Sequence, residues 1–346
     1  MNKRMHQYIE RETAEVRTER LFADKIINFI YSYMREDAST LFKALASARM
    51  SRLLGYVNYD SITMARLAGA KRFVEMSGVD LSECVDDPGS FKSLRDVFER
   101  KIRFWETRPM PDDDRAVVSP ADAKILVGSF SETSRLFLKD KFFEYEELLG
   151  ETINTWHNAF HGGNFAVLRL TPEKYHYNHV PVTGTVVDIY ELPGSYHPCN
   201  PAVVVNIATP CSKNKRVVTI IDTDVEGGTG IGLVAMIEIV ALMIGDIVQC
   251  YSAVRYENPV AVYKGVFLLK GQPKSLYRPG SSTDVLLFQK NRISFSDDLV
   301  RNMYRPGVHT RFARGFVRPL VETEVSVRAR IGNKKDISNK GTIENG

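Results

Sequence analysis

An almost uninterrupted apolar run at 231–248 is the feature that most limits what this chain can fold into. Its length approaches that of a membrane-spanning helix. Glu238 and Asp246 lie inside the run, however, and a carboxylate is costly in lipid. The run is rich in isoleucine and valine and contains Gly232 and Gly245, a composition that favours strands. We therefore predict two buried strands here and no transmembrane helix.

Short β-prone runs, separated by proline, glycine and asparagine, make up the middle of the chain. A strand, a proline turn and a second strand are predicted within 116–127. Residues 321–327 alternate apolar and polar side chains, as a half-buried strand does. Further strands are predicted at 165–170, 185–190, 202–207 and 217–221. Since strands and helices do not alternate regularly, we predict an α+β fold with a β-rich, mostly antiparallel domain.

The first 90 residues differ from this pattern and are predicted to form an N-terminal helical region. A second helix would begin at Ser39 and a third would span 62–76. Two interpretations remain open: the helices pack on the rest of the protein, or basic side chains such as Arg66, Lys71 and Arg72 lie on an anionic membrane surface. The apolar positions that recur at helical spacing in the first helix are Phe22, Ile26, Phe29, Ile30 and Tyr33.

A turn cluster, Asp86-Asp87-Pro88-Gly89-Ser90, marks the predicted end of this region. We expect the helical region at 1–90, the main domain at 91–329 and a polar tail at 330–346. The tail is rich in glycine, asparagine, lysine and serine, so it is predicted to be disordered.

Composition places the chain among soluble globular proteins, because 44% of its 346 residues are hydrophobic and 25% are charged. A net charge of +4 is too small to indicate nucleic-acid binding, and no motif for it is present. The four cysteines are widely spaced, which argues against a zinc ribbon or a redox pair and favours a reducing compartment. Residues 1–20 lack the apolar core of a signal peptide.

A proline-glycine turn followed by two serines, Pro279-Gly280-Ser281-Ser282, is the first candidate for chemistry. Gly280 tolerates backbone conformations closed to other residues, so strain can be placed on a peptide bond there. A serine just after such a bond can attack the preceding carbonyl when a base removes its proton. An ordinary turn that leads into a strand would have the same sequence.

An acid and a base that could serve this serine lie upstream. Asp122 follows a serine-proline pair at a predicted turn, and His176 and His179 lie three residues apart. In a strand this spacing puts the two rings on opposite faces. A zinc site would need two more ligands, which no motif supplies, so no metal is predicted. Asp122, His179 and Ser281 have the composition of an acid–base–nucleophile set, although composition does not place them in contact.

Ordered motifs over about residues 90–290 resemble those of the phosphatidylserine decarboxylase family of membrane-associated pyruvoyl enzymes. Residues 170–181, LTPEKYHYNHVP, with Gly184 resemble the family's LxPxDYHRxHxPxxG, the most specific match. Gly280-Ser281 falls at the family's Gly-Ser processing site. Shorter matches are Phe98-Glu-Arg-Lys-Ile102 with Arg108-Pro109, Val118-Ser-Pro-Ala-Asp122, Glu147-Leu-Leu-Gly150, Asn200-Pro201, Asn214-Lys-Arg-Val217 and the run at 231–247.

The resemblance implies that the chain cleaves itself between Gly280 and Ser281. Asp122 would orient and charge His179, which takes the proton of Ser281, and the serine hydroxyl attacks the Gly280 carbonyl. An N-to-O acyl shift and β-elimination then leave a pyruvoyl group on the smaller fragment, which stays bound to the larger one. The pyruvoyl carbonyl would form a Schiff base with the substrate amine and accept electrons as the carboxylate leaves. His176 or His179 would protonate the resulting carbanion.

Three departures from the family pattern leave alternatives open. The family's Asp-Gly is Asp122-Ala123 here, and its arginine after the first histidine is Tyr177. The family's Gly-Ser-Thr becomes Gly280-Ser281-Ser282-Thr283, so Ser282 is an alternative nucleophile. The expected reaction turns phosphatidylserine into phosphatidylethanolamine and CO2. A free amino acid as substrate, or a non-catalytic relative that binds lipid or a partner, remains an alternative.

The resemblance also implies where the protein works and what it contacts. A phospholipid substrate favours a peripheral position on the cytoplasmic side of a membrane, without a transmembrane helix. No nucleic-acid partner is expected, and a homodimer is left open.

Overall fold

The computed structural model of the protein describes residues 5–19, 74, 79–130, 145–197, 201, 210–241, 246–279, 282–313 and 319–336. Strands dominate this part of the chain, and its helices are short. The strands are β1 (Gln7–Glu10), β2 (Val16–Thr18), β3 (Ala116–Val118), β4 (Ala123–Ser129), β5 (Asn164–Leu170), β6 (Tyr177–His179), β7 (Gly184–Leu192), β8 (Arg216–Asp222), β9 (Leu233–Ile239), β10 (Ile247–Gln249), β11 (Phe267–Leu268), β12 (Pro273–Tyr277), β13 (Ser282–Phe288), β14 (Ile293–Phe295), β15 (Glu322–Val325) and β16 (Arg330–Lys334).

The helices are peripheral to these strands. Short 3-10 turns occur at Pro88–Ser90 and Arg311–Ala313. No helix in the described part of the chain is long and apolar enough to cross a membrane. The helices are α1 (Leu94–Phe98), α2 (Phe104–Thr107), α3 (Tyr145–Leu149), α4 (Asn154–Phe160), α5 (Pro210–Lys213) and α6 (Asp297–Met303).

One large sheet organises the molecule. Its ten strands lie in the order β11-β7-β8-β9-β13-β5-β4-β15-β1-β2, and every neighbouring pair is antiparallel except β1 and β15. Two smaller antiparallel sheets have the orders β10-β12-β6 and β14-β16-β3. The predicted β-rich, mostly antiparallel α+β architecture is therefore confirmed for these residues.

The strand β13 shows how the layers are arranged, because successive side chains point to opposite faces of a sheet. Val285 and Leu287 belong to a core cluster that also contains Leu148 and Leu149 of α3. Leu286 lies on the other face, in a cluster that includes residues of both smaller sheets. A strand covered on both faces needs apolar side chains throughout, and β13 and the 231–248 run have this character.

Most of the strands expected from the sequence are present. The 231–248 run forms β9 and β10, as predicted, with Glu238 buried inside β9. The runs at 116–127, 165–170, 185–190, 217–221 and 321–327 also contain strands. The strand expected at 202–207 lies outside the described residues.

The prediction of an N-terminal helical region is wrong for its first part. Gln7–Glu10 and Val16–Thr18 form an antiparallel hairpin, and β1 adds to the large sheet by parallel pairing with β15. Ile9 is fully buried there. Tertiary pairing with a strand about 300 residues away decides this conformation, and local sequence does not reveal it. The helices predicted around Phe22, from Ser39 and across 62–76 lie outside the described residues, except for helical Val74.

The predicted disorder of the tail is likewise wrong for its first residues. Arg330–Lys334 form β16, which pairs with both β14 and β3. Ile331 is fully buried and holds β16 against the core, although the composition of the tail is mostly polar. Residues 337–346 lie outside the described part of the chain.

A buried charge cluster ties the N-terminal hairpin to the sheet. The Arg169 guanidinium on β5 donates to both carboxylate oxygens of Glu322, at 2.9 and 2.6 Å, and to both of Glu19, at 2.9 and 2.6 Å. His6 Nε2 lies 2.9 Å from Glu322. Because these carboxylates are removed from water, the arginine is needed to compensate their charge.

A second polar layer joins the large sheet to the β10-β12-β6 sheet. Glu238 on β9 binds Lys274 Nζ at 2.7 Å, and both side chains are fully buried. Burial favours the neutral carboxyl, but the charge and hydrogen bond of Lys274 outweigh burial and lower the pKa of Glu238. Gln249, Asn178 and Ser275 complete the shell around this carboxylate.

Asp284 lies beside Glu238 in the paired strand β13. The Tyr277 hydroxyl donates to its Oδ1 at 2.7 Å, while Oδ2 has no hydrogen-bond partner in the described structure. Burial and the nearby negative charge of Glu238 raise the pKa of Asp284 well above its ordinary value. Folding therefore favours the neutral form of the Asp284 carboxyl group inside the sheet interface.

Replacing Arg169 tests the charge cluster. Arg169→Met leaves Glu19 and Glu322 buried without their cation, so the free energy of unfolding should fall by about 3–5 kcal/mol. Denaturant unfolding would measure this loss. The control is Arg17→Met, because Arg17 pairs with Glu10 and Glu15 on an exposed surface and its removal should change stability little. Equal effects of the two substitutions would contradict a stabilising role for the buried cluster.

Because folding raises the pKa of Asp284, the free energy of unfolding should fall as pH rises. A carboxyl group whose pKa is raised by folding favours the native state fully below its unfolded pKa of about 3.9, and this contribution is lost at higher pH. Relative to Asp284→Asn, the otherwise unchanged chain should lose up to about 1.4 kcal/mol of unfolding free energy per pH unit as the pH rises above this unfolded value.

The measurement is best made in a Ser281→Ala, Ser282→Ala background, which keeps the chain in one piece. Asp246→Asn is the matched control, since that carboxylate is exposed. If the free energy of unfolding changed with pH in the same way for the protein with Asp284 and for the Asp284→Asn variant, the carboxyl group would be ionised in the native state and the prediction would be wrong.

Candidate active site

Asp122 is fixed at the turn that leads into β4. The Arg108 guanidinium donates to its two carboxylate oxygens at 3.0 and 2.9 Å, and the Val327 amide donates to Oδ1 at 2.7 Å. Arg108 also binds Glu83 at 2.8 and 2.9 Å. Burial alone would raise the pKa of Asp122, but the hydrogen bonds and charge of Arg108 lower it. Asp122 is therefore a buried, ionised carboxylate.

His179 ends strand β6 close to this turn, where its backbone amide donates to the Pro120 carbonyl at 2.7 Å. Its Nδ1 lies 2.8 Å from the Gly271 carbonyl, which can only accept a hydrogen bond. This contact assigns the ring proton to Nδ1 and leaves Nε2 as the acceptor, 3.0 Å from the Tyr175 hydroxyl. Burial lowers the pKa of His179 to about 3, so the ring is neutral at physiological pH and Nε2 can accept a proton.

The backbone conformation at position 271 favours glycine. Its φ of +77° lies in the region that favours glycine, and a Cβ atom there would approach Met110 Sδ to 2.4 Å. A larger residue would therefore strain the backbone next to the carbonyl that orients His179.

His176 lies just before β6, in a different environment from His179. Its ring stacks on Phe98, with ring centroids 3.6 Å apart, and neither ring nitrogen has a hydrogen-bond partner among the described residues. Burial, reinforced by the charge of Arg100, lowers the pKa of His176 well below its ordinary value. A buried, neutral imidazole of this kind can donate one hydrogen bond to a ligand and accept another.

The serine candidates lie where the chain passes from one sheet to another. β12 ends at Tyr277 in the three-stranded sheet, and β13 begins at Ser282 in the ten-stranded sheet. Gly280 and Ser281 lie outside the described residues. Ser282 is fully buried, and its Oγ has no hydrogen-bond partner in the described structure.

The expected acid–base pair is close in space but is not joined by a hydrogen bond. Asp122 is engaged by Arg108, and both His179 nitrogens contact other groups, Gly271 and Tyr175. The charge of Asp122 still acts to raise the pKa of His179, while that of Arg108 acts to lower it. Ser282 Oγ makes no hydrogen bond to His179.

An aromatic cluster around His179 was not anticipated from the sequence. The Tyr175 hydroxyl bridges His179 and the Tyr256 hydroxyl, which is 2.7 Å away. Phe104 meets the His179 ring edge-on, with centroids 4.7 Å apart. Tyr177, where the resembling family has arginine, stacks on Tyr175 and is buried. The tyrosine at 175 belongs to the family-like motif, but nothing in the sequence indicated Tyr256 as its partner.

A possible metal-ligand grouping lies away from these residues. Ligand atoms of His6, Glu19 and Glu322 lie within 4.8 Å of one another. Arg169 already binds both carboxylates, and a guanidinium between them takes the place that a cation would need. This grouping is therefore accounted for by the charge cluster of the hairpin.

Comparison with known proteins identifies the relationship that this geometry and these motifs suggest. The phosphatidylserine decarboxylase proenzyme of Fusobacterium nucleatum is 28% identical over 338 residues, which cover 97% of this chain and 100% of that protein. The proenzyme of Chlamydia trachomatis serovar D is 29% identical over 89% of this chain and 95% of its own length. Phosphatidylserine decarboxylase proenzyme 2 of Oryza sativa subsp. japonica is 31% identical over 75% of this chain, but over 38% of its own length.

The sequence profile described as phosphatidylserine decarboxylase matches residues 94–314, the greater part of the chain. This match includes the turn of Asp122, both histidines and the serine pair. The chain therefore belongs to the phosphatidylserine decarboxylase family.

Proposed function

We propose that this protein is a self-processing, pyruvoyl-dependent carboxy-lyase that converts phosphatidylserine to phosphatidylethanolamine and CO2. The observation that carries the proposal is the family match across residues 94–314, together with full-length similarity to a phosphatidylserine decarboxylase proenzyme. The catalytic unit would be the domain at 91–329. The buried, neutral His179 beside an ionised Asp122 is the chemistry that such processing requires.

In the proposed cleavage, His179 Nε2 takes the proton from a serine hydroxyl, which attacks the preceding carbonyl carbon. The acyl group moves from nitrogen to oxygen, and the resulting ester eliminates a carboxylate that ends the larger fragment. The dehydroalanine left behind reacts with water to give the pyruvoyl group and ammonia. Asp122 favours the protonated imidazole during the first step. Tyr175 holds Nε2 in place until the serine approaches.

The residues around the junction suit the group that would be formed there. Ser282 Oγ and both nitrogens of His176 are buried and lack partners, so polar positions are available for a new carbonyl and its ligand. The pyruvoyl group supplies an electrophilic carbonyl that condenses with the substrate amine and accepts electrons as CO2 leaves. His176, which stacks on Phe98 on this side of β6, is neutral because burial lowers its pKa, so it would have to take up a proton before it could protonate the carbanion.

The two fragments should stay together after cleavage because the strands on either side of the junction are paired within sheets. β13 would belong to the smaller fragment, yet it pairs along its length with β5 and β9 of the larger fragment. Its side chains Val285, Leu286 and Leu287 are fully buried.

A phospholipid substrate places the protein at a membrane surface. We include in the proposal a peripheral association on the cytoplasmic side, because Cys84 and Cys250 form no disulfide in the described part of the chain. The described residues contain no helix that could span the bilayer.

Self-cleavage and its register are tested by single serine substitutions. We expect Ser281→Ala to leave one chain of 39.1 kDa, whereas Ser282→Ala should still give two fragments. The buried, unpartnered hydroxyl of Ser282 makes the reverse outcome the specific alternative. Intact-mass analysis distinguishes the two cleavage positions, since the fragments differ by one serine residue. A wild-type chain that remains uncleaved would contradict the proposal.

The role of His179 as the base is tested by the rate of self-cleavage and by the pH dependence of that rate. His179→Ala should slow cleavage by about 10²–10⁴-fold, whereas His309→Ala, at an exposed position, should not. Because the pKa of His179 is about 3, the base is already unprotonated between pH 8 and 5. Cleavage should therefore change little across that range. A steep loss of rate near pH 6.5 would show instead that the base titrates at its ordinary pKa.

Substrate choice is tested with carboxyl-labelled compounds. Labelled CO2 should be released from phosphatidylserine in mixed micelles and not from free serine or other free amino acids. The uncleavable Ser281→Ala, Ser282→Ala protein is the matched control and should release none. Turnover of a free amino acid alone would favour the alternative that Tyr177 suggested. Release of CO2 by the uncleaved control would contradict the pyruvoyl chemistry.

A further inference from the structure

Exposed apolar side chains are concentrated in one segment of the described chain, which we call the docking loop (residues 253–269). Of the eight large hydrophobic side chains exposed in the described part, five belong to this loop. Isolated exposed apolar residues are normal, but their concentration marks an interaction surface. These side chains, with their exposed fractions, are Val254 at 56%, Val260 at 48%, Tyr263 at 59%, Phe267 at 39% and Leu269 at 40%.

The docking loop is anchored from below, so its outward side chains are presented by an ordered backbone. Val262 and Leu268 are buried and join the main core cluster, together with Tyr251 just before the loop. The Tyr251 carbonyl accepts from the Val260 amide at 2.8 Å, and its hydroxyl accepts from the Leu269 amide at 3.0 Å. The loop therefore buries one set of apolar residues and exposes another.

Cations accompany the exposed apolar side chains. The loop carries Arg255 and Lys264 against a single acidic residue, Glu257. The Arg255 guanidinium lies 4.2 Å from the Trp105 ring centroid, and Lys101 Nζ lies 5.5 Å from that of Tyr256. Aromatic and aliphatic side chains mixed with cations are typical of surfaces that lie in the headgroup region of an anionic bilayer.

The base of the docking loop reaches the candidate active site. Tyr256 binds the hydroxyl of Tyr175, which contacts His179 Nε2 at 3.0 Å. Gly271, two residues beyond the loop, accepts from His179 Nδ1 at 2.8 Å. The docking loop is thus connected to the proposed base, His179, through the hydrogen-bonded pair Tyr256 and Tyr175.

We propose that the docking loop is the surface by which the protein binds a bilayer containing anionic phospholipid. This inference rests on the proposed function, because it concerns how a lipid substrate reaches the same site. Charge favours the bilayer over a second copy of the chain. Two docking loops facing each other across a two-fold axis would bring like charges together, whereas an anionic membrane complements them.

Vesicle sedimentation tests the proposal with two sets of substitutions in the full-length protein. Arg255→Glu, Lys264→Glu removes two cations, and it should weaken binding to vesicles of phosphatidylcholine and phosphatidylserine by about 30-fold or more. Tyr263→Ser, Phe267→Ser removes the aromatic contacts and should weaken binding at high salt as well. Val16→Ser, Val300→Ser is the matched control, since it removes exposed apolar residues outside the loop. Vesicles of phosphatidylcholine alone should bind all variants weakly.

Self-cleavage of every variant is followed by intact mass, which separates failure of this inference from failure of the proposed function. Cleaved loop variants that bind phosphatidylserine vesicles as tightly as the unchanged protein would overturn the docking loop and leave the decarboxylase proposal standing. Loss of a dimer on gel filtration, with vesicle binding unchanged, would overturn it in favour of a protein interface. A wild-type protein that neither cleaves itself nor releases CO2 would refute the proposed function, whether or not it binds vesicles.

Discussion

The connection that carries the expected cleavage junction crosses from one sheet to another, and buried polar contacts fix both of its ends. Tyr277 ends β12, where its amide donates to the His176 carbonyl at 3.0 Å. Its hydroxyl also reaches across the interface to Asp284 of β13, at 2.7 Å. The neighbouring Glu238–Lys274 pair joins the same two sheets. Loss of either partner of such a pair would leave an uncompensated buried charge, so the relative position of the sheets is strongly determined.

Burial around His179 decides the chemistry that this fixed geometry can perform. Removal from water has the largest effect on its pKa, and the opposing charges of Asp122 and Arg108 act against each other. Gly271 sets the tautomer, and Tyr175 occupies the remaining nitrogen. The imidazole is thus held neutral, oriented and shielded from solvent. A base in this state is available at any physiological pH, whereas an exposed histidine would be partly protonated.

The sequence alone predicted features, such as buried strands, that depend mainly on neighbouring residues. The run at 231–248 was recognised because strands covered on both faces need continuous apolar side chains. The hairpin at Gln7–Thr18 was missed because its polar sequence conceals the pairing with β15 and the buried contacts of Arg169. In the same way, the motifs identified Asp122 and His179, but their observed partners Arg108 and Gly271 come from segments whose proximity is a property of the tertiary fold.

The tyrosine at position 177 does not remove positive charge from the surroundings of the site. Buried Tyr177 packs in an aromatic cluster, and cations approach that cluster from other segments. Arg255 lies over Trp105, Lys101 over Tyr256, and Arg328 over Phe104 with its guanidinium carbon 5.0 Å from the ring centroid. Cation–π contacts thus retain these charges beside the rings. A substrate that carries a phosphate would still meet cations here, so the change from arginine to tyrosine is weak support for a free amino acid over a phospholipid.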